Sequence, residues 1–287
     1  MDRPRFEEVT DNIWLLKIPF AGIWTGCALV RRNGRALLID SGADAAGVDE
    51  VILPALKEQG LEPCDIDVLL ATHTHGDHVG GHARLRELGV KAIAIYEKSA
   101  DKLRDPLKCN IAIRAVFPEH SAPPAKALRG VEPDRLLADG EAVEGLRLIA
   151  APGHDTDTVV WFDEDSGTLL TGDSIQGNGT ATLGCALYMD LPAYEATLRK
   201  LAALPIRRVV AGHPFFPWGE AVIPDTRAID DSLALVAEYD ERIRAQQERT
   251  LPERTKALIA ALGGPQPDYL FLGMYTVREH LRRLGLA

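Results

Sequence analysis

Three histidines and an aspartate fall within six residues, His73-Thr74-His75-Gly76-Asp77-His78. Imidazole nitrogen and carboxylate oxygen at this density suit zinc, iron or manganese rather than calcium or magnesium. The run Val68-Leu69-Leu70-Ala71 before the cluster reads as a buried strand, and Gly80-Gly81 after it let the chain turn into a helix near Arg84-Leu85. Ligands on a strand end and the following loop are held by rigid scaffold yet face solvent. A polar turn that merely happened to be His-rich would not ask for a buried strand on one side and a Gly-Gly turn on the other.

The elements that must hold such a cluster can be followed along the chain. Residues 12–18 read as a first strand, and the apolar runs 27–31 and 35–40 flank Asn33-Gly34, a two-residue hairpin signal. Val48, Val51, Ile52, Ala55 and Leu56 are spaced for one face of a helix over 46–59, with Gly60 as its stop and Pro54 predicting a kink or break. A helix to about Leu88 and a strand over 92–96 follow. Residues 97–137 lose the strand pattern and carry Phe117-Pro118 and Ser121-Ala122-Pro123-Pro124, which predicts a loop-rich insertion covering the site. Strands resume over 143–150, 158–162 and 168–170. A helix near Tyr194, Leu198 and Leu201 then leads to a strand at Arg208–Ala211. From Asp225 the pattern is helical: Val236, Tyr239 and Ile243 share one face, and Val277, His280, Leu281 and Leu284 another. The expected division is a catalytic α/β (α+β) unit over 1–224 and a helical extension over 225–287 packed on it.

Beyond the first cluster stand Pro152-Gly153-His154, Thr171-Gly172-Asp173 and Gly212-His213-Pro214. Taken in order with His-x-His-x-Asp-His, these turns closely resemble the metallo-β-lactamase-fold hydrolases of the glyoxalase II, lactonase and β-lactamase-like-protein-2 types, over roughly residues 10 to 220. The resemblance implies a four-layer αββα sandwich. It also implies two metal ions, zinc first with iron or manganese as alternatives: His73, His75 and His154 on one, Asp77, His78 and His213 on the other, and Asp173 bridging both. A cation pair ~3.5–4 Å apart lowers the pKa of a bridging water toward neutrality, and the hydroxide then attacks a carbonyl or a phosphorus. Asp77 and Asp173 are thereby implied as the catalytic carboxylates, Asp77 orienting the nucleophile.

Asp40 also ends a strand without filling a ligand slot. It reads as a residue orienting a ligand histidine, against the alternative of a turn or N-cap aspartate. The loop Gln176–Thr182, with Asn178, and Tyr188 follow Asp173 and are candidate substrate contacts, although Tyr188 reads equally as a core tyrosine. His82, one turn past the motif, is expected not to be a ligand, and His120 and His280 to be surface or packed histidines. The four cysteines are far apart, with no CxxC pair, and read as small structural side chains in a reducing compartment. Net charge is −10, and the pI near 5.3 argues against a broad basic surface for nucleic acid while leaving room for a local one. No run reaches membrane-spanning length, and the charged first eight residues have no apolar stretch behind them, so a cytoplasmic protein, able to form a homo-oligomer, is expected.

The function these residues point to is metal-dependent hydrolysis of an ester, thioester or lactone bond in a small molecule. Two alternatives stay open. One is a single-stranded RNA or phosphodiester nuclease of the β-lactamase-like-protein-2 type, which the tail Tyr275–Leu284 resembles. The other is a persulfide dioxygenase with a single iron on His73, His154 and Asp173.

Overall fold

The computed structural model of the chain describes residues 3–124, 128–246, 250–267 and 269–286. The first half builds a five-stranded sheet in the order β1 (Glu7–Thr10), β2 (Ile13–Phe20), β3 (Ile23–Arg32), β4 (Arg35–Ile39) and β5 (Val68–Leu70). The β3–β4 hairpin turns on Asn33 and Gly34 at φ of 53° and 77°, the left-handed pair that a two-residue turn demands. β4 and β5 run parallel, with Ile39 opposite Leu70. β6 (Ala94–Tyr96) and β7 (Arg135–Leu137) form a short parallel pair, joined to β5 through a bridge from Ile93 to Leu69. The second half builds a six-stranded sheet from β8 (Ala142–Val143), β9 (Leu146–Ala150), β10 (Val159–Asp163), β11 (Thr168–Gly172), β12 (Arg208–Ala211) and β13 (Val222–Pro224), laid side by side in sequence order. Within it only β11 and β12 pair parallel.

Helices cover both outer faces. On the first sheet lie α1 (Ala45–Gly47), α2 (Leu53–Glu58), α3 (Gly76–Val79) and α4 (His82–Glu87), followed by α5 (Ala100–Arg104) and α6 (Pro106–Ala115). On the second lie α7 (Leu191–Ala202), α8 (Arg227–Arg244), α9 (Leu251–Ala261) and α10 (Phe271–Arg283). Side-chain alternation builds the layers. Leu15, Leu37 and Ile39 face Leu148, Trp161 and Leu170 of the other sheet, while their neighbours Leu16 and Leu38 pack under the helices. In the second sheet Val159 and Trp161 face inward, and Val160 and Phe162 face α7 and α8. Every residue of β10 and β11 is buried, which is why Val159–Phe162 and Leu169-Leu170 are apolar without alternation. The result is the expected αββα sandwich. Among the described residues no helix is long and apolar enough to cross a membrane.

Of two local expectations, one differs from what is found. Near Pro54 the α-helical pattern is interrupted: α1 runs into α2 through a π-helical stretch, Val48–Ile52, and Pro54 falls in the first turn of α2. The 97–137 insertion is not loop-rich. It carries α5 and α6, and α6 opens on Asp105, whose carboxylate accepts from Lys108 N at 3.0 Å, with Pro106 in the first turn. That Asp-Pro pair is a helix-start signal. Residues 125–127 of the insertion lie outside the described residues.

The C-terminal helices complete the outer layer of the second sheet. Val236, Tyr239, Met274 and Val277 share one apolar cluster with Leu198 of α7 and with Leu169 and Val209 of the sheet. Val277 is 0% exposed and Leu286 is 48% exposed. Val277→Ala should therefore cost about 2 kcal/mol from lost burial and the cavity left behind, whereas Leu286→Ala stays within about 0.5 kcal/mol. Urea unfolding midpoints of the two variants against the parent protein check this.

Candidate metal centre

Four strands, β4, β5, β11 and β12, end at one edge between the sheets, and the residues just past those ends are Asp40, Thr72-His73, Asp173 and His213. Asp40 N donates to Leu70 O at 3.0 Å, Val159 N to Thr72 O at 2.7 Å, Gly212 N to Gly172 O at 3.0 Å and Gly26 N to Gly212 O at 2.8 Å. The strand ends are thus tied backbone to backbone. A Cβ at Gly172 would stand 2.3 Å from Thr72 Oγ1, and one at Gly212 would stand 2.8 Å from the Gly172 carbonyl carbon. This contact is why glycine precedes both Asp173 and His213.

The side chains converge in two groups that share Asp173. In the first, His154 Nε2 lies 2.9 Å from His75 Nδ1, and the His73 ring stands edge-on to both, at centroid distances of 4.7 and 4.9 Å. In the second, His213 Nε2 lies 3.2 Å from His78 Nε2 and 3.2 Å from Asp77 Oδ2. Asp173 spans them: Oδ1 is 3.3 Å from His78 Nε2 and 3.5 Å from His213 Nε2, and Oδ2 is 3.6 Å from His154 Nε2. Ligand atoms of a tetrahedral zinc site, with bonds near 2.0–2.1 Å, stand about 3.3 Å apart. His73-His75-His154, His73-His78-Asp173 and Asp77-His78-His213 each have the donor set and closeness to hold an ion.

The outer ring nitrogens explain which atoms turn inward. His78 Nδ1 meets Asp40 Oδ2 at 2.8 Å, His154 Nδ1 meets Leu187 O at 2.9 Å, and His213 Nδ1 meets Trp24 O at 2.8 Å. His73 Nδ1 meets Thr72 Oγ1 at 3.1 Å, and His75 Nε2 faces Asp155 Oδ2 at 3.4 Å. Each neutral imidazole then carries its proton outside and a lone pair inside. His73 Nε2 and Asp173 Oδ1 are buried with no hydrogen-bond partner among the described residues. Buried acceptors left unsatisfied, aimed at one centre and surrounded by further acceptors, fit a cation.

Electrostatics agree. Burial, reinforced by the other imidazoles, pushes His73 well below the usual histidine range, and burial takes His154 down to about 4. For His78 burial acts in the same direction, but Asp40, Asp77 and Asp173 outweigh it and raise its pKa well above the usual value. Asp173 and Asp77 stay ionised despite burial because His213 and His78 face them. The excess of carboxylate that draws a proton to His78 is the charge a bound cation would neutralise.

Asp40, read in the sequence as orienting one of the candidate histidines, stands behind His78. Its carboxylate also accepts from Thr72 N and Thr72 Oγ1, each at 2.8 Å, and its own φ is 63°. A second support went unread in the sequence. Asp155 Oδ2 lies between His75 Nε2 and Lys102 Nζ, the latter at 2.6 Å, and Asp157 joins Lys102 at 2.6 Å to Thr74 Oγ1 at 2.7 Å. The available signal was the pair of carboxylates, Asp155 and Asp157, directly after the ligand candidate His154. Gln176 is buried beside His154, its Oε1 accepting from Leu187 N at 2.7 Å.

Two expected substrate contacts do not reach the site. Tyr188 is buried in the core, stacked on Tyr194 and bonded through its hydroxyl to His280 Nε2 at 2.5 Å; no part of it lines the cavity over the cluster. Asn178 accepts from Tyr239 OH at 2.6 Å and lines a separate cavity beside α8. Of the loop after Asp173, Thr180, Thr182 and Leu183 face the cluster's cavity instead. His82 is buried against Ser41 Oγ at 2.7 Å and takes no part in the cluster, and His280 is packed, with Asp240 on its other nitrogen at 2.6 Å. Burial pushes the Cys185 thiol up to about 12. Cys27 is buried, Cys64 exposed, and Cys109 edges the cavity. That cavity, of about 260 Å³, opens onto His75, Asp77, His154, Asp173 and His213. Its wall is mainly apolar: Phe20 and Ile23 from the first sheet, Ile113 and Leu128 from the insertion, Phe215, and Phe271 from the C-terminal layer.

The profile of the Metallo-beta-lactamase superfamily matches residues 26–213, and the chain belongs to that superfamily. It is 30% identical to a Beta-lactamase-like protein 2 homolog of Caenorhabditis elegans over 202 residues, 68% of this chain and 57% of that one. It is 28% identical to the atrochrysone carboxyl ACP thioesterase AgnL7 of Paecilomyces divaricatus over 255 residues, 85% of this chain and 68% of the relative. The chain therefore spans little more than half the length of the worm protein. Its fold matches that of a metallo-beta-lactamase family protein from Thermus thermophilus with a TM-score of 0.75 at 24% identity, covering 97% of this chain and 95% of the other.

Asp40→Asn should keep the fold, because asparagine tolerates the left-handed backbone at this position. The loss of the carboxylate behind His78 should weaken metal binding by about 10–100-fold. Competition with a chromophoric chelator measures it.

Proposed function

We propose that this protein is a metal-dependent hydrolase that cleaves an ester or thioester bond, or a lactone, in a small molecule with an apolar acyl part. The observation that carries this reading is the pair of donor groups sharing Asp173 at the floor of an apolar cavity. In it His73, His75 and His154 hold one ion, Asp77, His78 and His213 a second, and Asp173 lies between; zinc is the first choice for this nitrogen-rich donor set. Bound there, two cations would supply an activated water and polarise the acyl oxygen.

The chain's own residues do the rest. Asp77, at the cavity floor beside His213, would orient the attacking water toward the acyl carbon. Asp40, Asp155 and the Leu187 and Trp24 carbonyls fix the imidazole orientations, so no reorganisation is needed during reaction. Phe20, Ile113 and Leu128 strip water from the acyl group as it enters. The thioesterase relative, aligned over 85% of this chain, supports the thioester among the possible bonds. The nuclease reading draws on the β-lactamase-like protein 2 relative, but a small apolar cavity suits a polyanionic strand poorly.

Elemental analysis of reconstituted protein should find about two transition-metal ions per chain; one would favour the mononuclear iron reading. Asp173→Ala should lose hydrolysis and at least one ion while its circular dichroism stays that of the parent. A screen over thioesters, lactones, β-lactams and RNA reads the substrate, and RNA cleavage without ester turnover would replace this proposal with the nuclease. Ile113→Ala, in the cover, should raise KM for apolar acyl substrates several-fold and leave the metal content unchanged, since Ile113 touches the cavity and not the donors.

A further inference from the structure

One positive side chain stands in the wall of this apolar cavity. Arg114, in the last turn of α6, is the only lysine or arginine among the described residues that line it. The side chain is half-buried and held in place. Its Nε donates to the Ala122 carbonyl at 3.0 Å, its Nη1 to the Asn110 carbonyl at 3.1 Å, and its guanidinium carbon lies 5.1 Å from the centre of the Phe271 ring. All three partners are uncharged. Burial lowers its pKa, and no carboxylate acts against that.

Lys102 nearby is different, clamped between Asp155 and Asp157 at 2.6 Å each. A guanidinium carries five N–H donors. The two bonds to carbonyls leave Nη2 and one hydrogen of Nη1 free of partners among the described residues, donors of the kind that pair with a carboxylate or phosphate. A partly desolvated cation without a counter-ion is costly if it only anchors a loop, because a neutral donor would bond the same carbonyls. Its place also fits selection: α6 belongs to the insertion and Phe271 to the C-terminal layer, and both wall the cavity without offering a metal donor.

We infer that Arg114 is a specificity-determining residue that receives an anionic oxygen group, a carboxylate or a phosphate, carried by the substrate at the end remote from the bond that is cut. The apolar part of the substrate lies between the guanidinium and the donor cluster. For the reaction this rests on the hydrolase reading; for binding it does not.

The test separates the two. Calorimetry on the metal-loaded protein compares three probes of one shape: 4-phenylbutyrate, its neutral amide, and 3-phenylpropyl phosphate. The parent protein should bind at least one anion about tenfold or more tighter than the amide, as a charge-assisted pair predicts. The tighter of the two anions tells a carboxylate from a phosphate. Arg114→Met should erase the preference at unchanged metal content, and Arg114→Lys should keep part of it. Arg114→Gln, which can still donate to the same carbonyls, gives the same reading if the methionine variant does not fold. Absent or equal binding of all three probes by the parent overturns the inference. A preference that survives in Arg114→Met also overturns it, since the anion would then sit on the metal ions. In a matched pair of esters, with and without a terminal carboxylate, Arg114→Met should raise KM for the anionic ester alone. No turnover of either ester, with the anion preference intact, would remove the hydrolase reading and leave this one standing.

Discussion

At the edge where β5, β11 and β12 end, Gly172 lies so close to Thr72 that a single methyl group would not fit between them, and Gly212 lies as close to Gly172. Two sheets from opposite halves of the chain meet there backbone to backbone. His73 through His78 come from one side of the contact, and Asp173 and His213 from the other. The donor groups can sit 3–4 Å apart only because the strands that carry them do not separate. The glycines are therefore part of the site although they offer no ligand atom.

Charge is organised around that contact. Carboxylates and imidazoles face one another across it: His213 and His78 hold Asp173 ionised, and Asp40, Asp77 and Asp173 raise His78. Each pairing is local and fixed by hydrogen bonds further out. Asp40 is held in a left-handed backbone conformation while its carboxylate accepts twice from Thr72 and meets His78 once. Such strain at a non-glycine residue is retained where the surroundings over-determine it. Here the surroundings are the same strand ends.

The outer helices reach the centre at second hand. Thr276 of α10 donates to Ala186 O at 2.8 Å and accepts from Tyr188 N at 3.1 Å. The residue between, Leu187, offers the carbonyl that orients His154. The C-terminal layer thus braces the loop behind a ligand candidate, while its Phe271 walls the cavity and stacks under Arg114. Scaffold and selectivity are shared by one element, so the helical extension belongs to the site as well as to the core.

Much of this was legible in the chain alone. His73–His78 follows an apolar run, and His154, Asp173 and His213 each follow a glycine; that local order picked out the seven residues that converge, along with Asp40 and the Asn33-Gly34 hairpin. Local pattern carries such information because strand ends and turns are set by neighbours in sequence. What it could not supply was anything depending on which surfaces meet. Tyr188 and Asn178 follow Asp173 closely in sequence, yet both turn away, because His280, Tyr239 and Tyr194 from distant helices claim them. Asp155 became the support of His75, and Arg114 the only lysine or arginine among the described residues of the cavity wall, through contacts with partners brought near by packing alone. The sequence by itself determined the candidate donor set and the layers; the tertiary structure decided which polar side chains face the cavity, because a side chain's direction depends on long-range partners that competing burial selects.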